Sequence, residues 1–115
     1  MSADPDCLFC KIVAGEVPGE FVADNSGAVA FRDVKPQAPT HVLVVPRDHH
    51  PDVGALAAAD PGAMAEVVRL TTTVAESEQL SAHRVVFNTG AGAGQSVFHC
   101  HAHVLGGRSL GWPPG

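Results

Sequence analysis

Apolar and polar positions change period several times along the chain, and each change marks an element. Cys7-Leu8-Phe9-Cys10-Lys11-Ile12-Val13-Ala14-Gly15 reads as a short helix, with Asp6 as N-cap and Gly15 as the stop. Two strand-like runs, Gly19 to Asp24 and Ala28 to Arg32, flank Asn25-Ser26-Gly27 and predict a hairpin. Asp33 to Thr40 is punctuated by Pro36 and Pro39, which stop further pairing. His41-Val42-Leu43-Val44-Val45-Pro46 is almost continuously apolar and predicts a central strand buried on both faces. Asp52 opens an Ala-rich helical stretch to Ala59, and Asp60-Pro61 begins the main helix. Met64, Val67, Val68, Thr71, Val74 and Ala75 fall on one stripe of that helix, which is core. Arg84 to Asn88 reads as a fourth strand, and the stretch from His99 as a fifth. The expectation is one α+β domain over residues 1–115. It has about five antiparallel strands, a main helix and a short N-terminal helix, with the helices on one face of the sheet.

The fifth strand carries the chemistry. In His99-Cys100-His101-Ala102-His103-Val104-Leu105 three histidines alternate with small apolar residues. A strand sends alternate side chains to one face, so the imidazoles stand in a row while the other face is buried. Gly90-Ala91-Gly92-Ala93-Gly94-Gln95-Ser96 lies just upstream and reads as a flexible loop. It lacks the Lys-Ser/Thr end and following helix of a P-loop, but its glycines let backbone N–H groups approach a phosphate closely. An imidazole is largely unprotonated at neutral pH, so one of the row can attack phosphorus while its neighbours orient it and carry protons. Two other readings are open on the residues alone: ordinary polar histidines, or a catalytic metal held by the row.

Composition narrows the choice. A chain of 115 residues with 45% hydrophobic and 17% charged residues is one soluble globular domain. Its net charge is −5 and its basic residues are dispersed, so the basic stripe of a nucleic-acid groove is missing. No apolar run reaches the ~20 residues that span a bilayer, and Met1 to Asp6 is unlike a signal peptide, so a cytoplasmic protein without membrane contact is expected. Three cysteines do not suggest a disulfide framework. Cys7 and Cys10, three apart on one helical turn, make half of a tetrahedral metal site, a free thiol pair or a redox pair.

The triad motif resembles the signature of the histidine triad (HIT) superfamily, and its surroundings resemble the Hint branch, the purine nucleoside phosphoramidases. Phe31-Arg32-Asp33, Pro36-Gln37-Ala38-Pro39-Thr40-His41, Val44-Val45-Pro46, the Gly-rich loop and Gly111-Trp112-Pro113-Pro114-Gly115 all occur in that family's order. The chain departs from the pattern in Cys100 and Ala102, which are smaller than usual at their positions. The resemblance implies a HIT-like fold and a homodimer joined edge to edge, with the C-terminal segment crossing to the partner. It implies hydrolysis of purine nucleoside 5′-phosphoramidates of the AMP-lysine type, or of aminoacyl adenylates, through a nucleotidyl-histidine on His101.

In that scheme His103 and the amides of Gly94 to Val97 hold the phosphate, and Ser96 serves the leaving nitrogen. Asn88 and Gln95 complete the polar wall, Asp33 takes the ribose, Val34 and Phe21 line the pocket, and His41 supports the imidazole row. The resemblance also implies a structural zinc on Cys7, Cys10, His49 and His99, with His50 as the nearest rival to His49, and no metal in the chemistry. Alternative functions are dinucleoside polyphosphate hydrolysis, in the manner of the Fhit branch, and a nucleotide-binding regulatory module with little turnover. A zinc hydrolase using the triad as ligands is a third. The base preference is not legible.

Overall fold

The computed structural model describes residues 3–115; Met1 and Ser2, the start of the expected domain and of the acidic N-terminal stretch, lie outside the described residues. The elements are α1 (Leu8–Val13), β1 (Phe21–Asp24), β2 (Ala28–Arg32), β3 (Thr40–Pro46), α2 (Val53–Ala59), α3 (Pro61–Ser77), β4 (His83–Phe87) and β5 (Ala102–Gly106). The strands form one antiparallel sheet in the order β1-β2-β3-β5-β4. β3 is buried along its whole length, as its apolar run requires.

Local signals explain most boundaries. Asn25 Oδ1 accepts from the amides of Gly27 and Ala28 at 3.0 and 2.8 Å, closing the β1–β2 turn, while its Nδ2 donates to Glu66 O on α3. Asp52 and Asp60 cap α2 and α3 by accepting from Ala55 N and Ala63 N. The cap of α1 differs from expectation. Cys7, and not Asp6, is the N-cap, and its Sγ accepts from the Cys10 amide at 3.4 Å. The helix stops as expected, with Gly15 at φ +79°.

Three further expectations are corrected by packing. The helices do not share one face. α2 and α3 cover one side with Leu56, Val67, Leu70 and Val74 packed against Val42, Val44, Ala102 and Val104. α1 packs on the opposite side, against Val29, Phe31, Leu43 and Val45. Leu70 rather than Val68 completes the buried stripe of α3, since Leu70 is 1% and Val68 47% exposed. The ladder of β5 begins only at Ala102, so His99 and His101 precede the paired strand and only His103 sits within it. Cys100 and Ala102, small as they are, are buried in the cluster formed with α2 and α3.

Leu70→Ala is therefore expected to lower stability by about 3 kcal/mol, while Val68→Ala changes it by less than about 0.5 kcal/mol. Urea unfolding of the two variants checks this; equal losses would contradict the orientation of α3.

Candidate active site

β5 lies between β3 and β4, and its odd-numbered side chains point away from the α2–α3 layer, toward the face that carries α1. The chain ahead of it bends at Val97 to His99, yet Phe9 meets the rings of both His99 and His101, and the His101 ring neighbours that of His103, so the three follow one another on the α1 side. His101 and His103 rings are 5.0 Å apart, and Phe9 of α1 meets both His99 and His101 edge-on. A cavity of about 820 Å³ opens there. Its apolar wall comes from Leu8, Phe9 and Ile12 of α1 with Phe31 and Leu43 of the sheet. Its polar end carries Asp33, Ser96, His101 and His103.

The hydrogen bonds assign the proton on each imidazole, because a carbonyl only accepts and an amide N–H only donates. His99 Nε2 lies 2.9 Å from Pro46 O and must donate to it, leaving Nδ1 as a lone pair. His101 Nδ1 donates to His99 O at 2.8 Å, leaving Nε2 as a lone pair. Gln37 N–H donates to His41 Nδ1 at 3.0 Å, so the His41 proton is on Nε2. That N–H faces His103 Nδ1 at 2.9 Å, with Asp33 Oδ2 at 3.4 Å as a second acceptor. His103 therefore keeps its proton on Nε2. The row thus presents a bare nitrogen on His101 beside an N–H donor on His103.

Burial keeps these rings neutral. It pushes His103 down to about 4, helped by the neighbouring His101 and His41 rings and opposed by Asp33. Burial likewise lowers His101, against the pull of the His99 carbonyl and Asp33, and lowers His41 despite Asp33. The rings along the cavity are thus poised as lone pairs and neutral donors.

A second centre lies behind the first. Cys7 Sγ and Cys10 Sγ are 3.4 and 3.5 Å from His99 Nδ1, and Cys10 Sγ is 3.5 Å from His49 Nδ1. All four atoms lie within 4.8 Å of one another. Around a tetrahedral zinc the S···N edges would be roughly 3.5 Å, given bonds near 2.3 and 2.05 Å. The donor set and its spacing therefore fit a metal ion. His50 is not in this group; its carbonyl accepts from the Cys100 amide. Asp33, His41 and His103 also cluster, but the Gln37 amide fixes a proton on the His41 nitrogen that would face an ion. The triad does not converge on a single ion. His99 groups with the thiols and His103 with His41 and Asp33.

Of the residues expected from the sequence, Asp33, Val34, Ser96, Val97, His101 and His103 line the large cavity. Val34 is at its rim, 92% exposed. His41 stands behind His103. Phe21 lies elsewhere, on a smaller hollow with Val13 and Val29. The Gly-rich segment is a hydrogen-bonded turn rather than an open loop: Ala91–Ala93 is a 3-10 turn, with Gly94 at φ +96°. Its own carbonyls take the Gly94 and Gln95 amides, so Ser96 and Val97 are left to offer unpaired N–H groups among the described residues.

Gln95 is buried and uses its side chain inward: Oε1 accepts from Gly90 N, and Nε2 donates to Pro51 O and Val97 O. It holds the turn rather than facing the cavity. Asn88 sits beside Gly94. Leu8, Phe9, Ile12, Phe31 and Leu43 were missed as site residues, since in sequence they show only as the apolar side of a helix and two strands.

An α+β domain that lays an imidazole row along a cavity at a sheet face matches one family. The HIT domain model matches residues 14–110. A purine nucleoside phosphoramidase of Escherichia coli K12 is 37% identical over 108 residues, 92% of this chain and 91% of its own. An HIT-like protein of Synechococcus elongatus is 40% identical over 111 residues, 96% of this chain and 97% of its own. The structure of a HIT family hydrolase from Legionella pneumophila superposes with a TM-score of 0.90 at 43% identity, covering 96% of this chain and 100% of that one. One from Clostridium thermocellum does so with a TM-score of 0.90 at 32% identity, covering 95% and 96%. The chain belongs to the HIT domain family.

The proton assignments are open to test by long-range 1H–15N correlation on the histidine rings. His101 is expected as the Nδ1–H form, and His41, His99 and His103 as Nε2–H forms. An Nε2–H form at His101 would contradict the arrangement.

Proposed function

We propose that this chain hydrolyses purine nucleoside 5′-phosphoramidates of the AMP-lysine type, or aminoacyl adenylates, through a nucleotidyl intermediate on His101. The observation that carries this reading is the His101 Nδ1–H bond to the His99 carbonyl, which leaves a neutral imidazole nitrogen beside a cavity of about 820 Å³. An E. coli relative is named a purine nucleoside phosphoramidase, which supports the substrate class. The apolar wall suits a base and the polar end a ribose phosphate, with Asp33 at the ribose.

In the first step His101 Nε2 bonds to the α-phosphorus and the bond to the leaving group breaks, phosphorus–nitrogen in a phosphoramidate and phosphorus–oxygen in an aminoacyl adenylate. The amine leaves with a solvent proton relayed through Ser96, whereas a carboxylate leaves without one. The positive charge that develops on the imidazole is held by the His99 carbonyl at Nδ1–H. His103 Nε2–H and the free amides of Ser96 and Val97 donate to the non-bridging oxygens. In the second step water bonds to phosphorus and gives up a proton to solvent, the phosphorus–Nε2 bond breaks, and the nucleoside monophosphate is released with His101 back in its neutral Nδ1–H form. Gln95, Gly94 and Asn88 shape the turn that aims those amides, and His41 fixes the proton on His103.

We further propose that Cys7, Cys10, His49 and His99 hold one zinc ion, which leaves no open position for water and so has a structural role. No step of the reaction is assigned to it. We propose a homodimer joined at a sheet edge; β1 and β4 are the two edges. The three unbridged cysteines fit a reducing compartment, and we place the protein in the cytoplasm.

With AMP phosphoramidate as substrate, His101→Ala is expected to lower kcat/KM by at least about 10³-fold, without altering the fold seen by circular dichroism. The wild type is expected to contain one zinc per chain by elemental analysis. Turnover of a dinucleoside tetraphosphate but not the phosphoramidate would favour the alternative hydrolase. AMP binding without turnover of either would favour a regulatory module.

A further inference from the structure

Helix α1 belongs to both centres at once. Its cap Cys7 and its residue Cys10 turn their sulfurs toward His99 and His49, while Leu8, Phe9 and Ile12 line the large cavity. Phe9 meets His101 at 5.0 Å and 89°, and Phe31 at 5.5 Å and 74°.

The attachment of this helix is unusual. Apart from the Cys10 amide, which donates to Cys7 Sγ, the main-chain N–H bonds from Cys7 to Val17 go to carbonyls between Asp4 and Ile12, so among the described residues none ties α1 to the sheet. Six residues are far too few to hold a helix in water unaided. Side-chain packing and the sulfur–imidazole group are what hold it in place. The same group includes His99, whose carbonyl orients His101. A metal that gathers the two sulfurs and two imidazoles therefore fastens a wall of the nucleotide cavity.

We propose that metal binding and nucleotide binding are thermodynamically linked through α1, with Phe9 as the positioning residue that carries the linkage to His101 and the cavity. The proposal rests on the nucleotide and metal assignments above. Closing the cavity around a base holds α1 against the sheet, which brings Cys7 and Cys10 to His99. Gathering those ligands in turn presents Leu8, Phe9 and Ile12 to the base. Linkage is reciprocal: if metal tightens nucleotide binding by some factor, nucleotide tightens metal binding by the same factor.

The test uses the full chain. Zinc affinity is measured by competition with a chromophoric chelator, with and without saturating AMP. AMP affinity is measured by calorimetry on zinc-loaded and zinc-free protein. The expected result is a factor of about 10 or more, equal in the two directions, with β3 and β5 amide signals unchanged in the zinc-free form. Phe9→Leu, which keeps the burial but not the aromatic edge, is expected to retain zinc and bring the factor below about twofold. A wild-type factor below twofold overturns the proposal. So does unfolding of the whole sheet without metal, because α1 is then no separate wall, and so does failure to bind zinc or AMP. Failure of the phosphoramidase reading would show differently, as absent turnover with both affinities still measurable.

Discussion

His99 is the residue on which the rest of the site depends, because every polar group of its ring and its carbonyl has a directional task. Its Nε2–H is spent on Pro46 O at the end of β3, which fixes the ring and leaves Nδ1 facing two sulfurs. Its carbonyl takes the His101 Nδ1 proton. The ring is wholly buried, and burial holds it down to about 4, so Nδ1 is a neutral lone pair rather than part of a cation. Loss of the Pro46 bond would free the His99 ring, and displacement of its carbonyl would release the His101 Nδ1 proton.

The site thus consists of two short chains of directional bonds meeting at a cavity. One runs Pro46–His99–His101 and exposes a lone pair. The other runs Gln37–His41–His103 and leaves an N–H donor. A lone pair and an N–H donor arise side by side from one residue type, distinguished only by what the other ring nitrogen faces. Both chains start at backbone groups, Pro46 O and Gln37 N. The sheet and the proline loop therefore determine the chemistry as much as the imidazoles do.

Much of this was legible in the chain. The apolar run of β3, the Asp-capped helices and the alternation at His99, His101 and His103 led to the sheet and the row, because burial and strand geometry leave few other arrangements. The pairing of Cys7 and Cys10 with His49 and His99 came from resemblance, and spacing alone could give only half of it. What was missed depends on three-dimensional packing. Val68 and Leu70 are both apolar and lie about 200° apart around α3, so each extends the stripe of Val67, Thr71 and Val74 on one flank, and only packing against the sheet decides between them. Gln95 looked like a polar site residue because its inward bonds to Gly90, Pro51 and Val97 close only once the turn is folded. The side of the sheet that α1 occupies, and with it the wall formed by Leu8, Phe9 and Ile12, follows from where its two sulfurs find their partners.

In the proposed reaction His101 Nε2 carries the nucleotidyl group during turnover. The measurement to make mixes the wild-type protein rapidly with AMP phosphoramidate labelled at phosphorus, quenches in alkaline denaturant and maps the label by mass spectrometry. A transient nucleotidyl group is expected on the peptide containing His101, lost on brief acid treatment as a phosphorus–imidazole bond should be. Steady release of AMP with no label ever found on the protein would contradict it, and would mean that water attacks phosphorus directly.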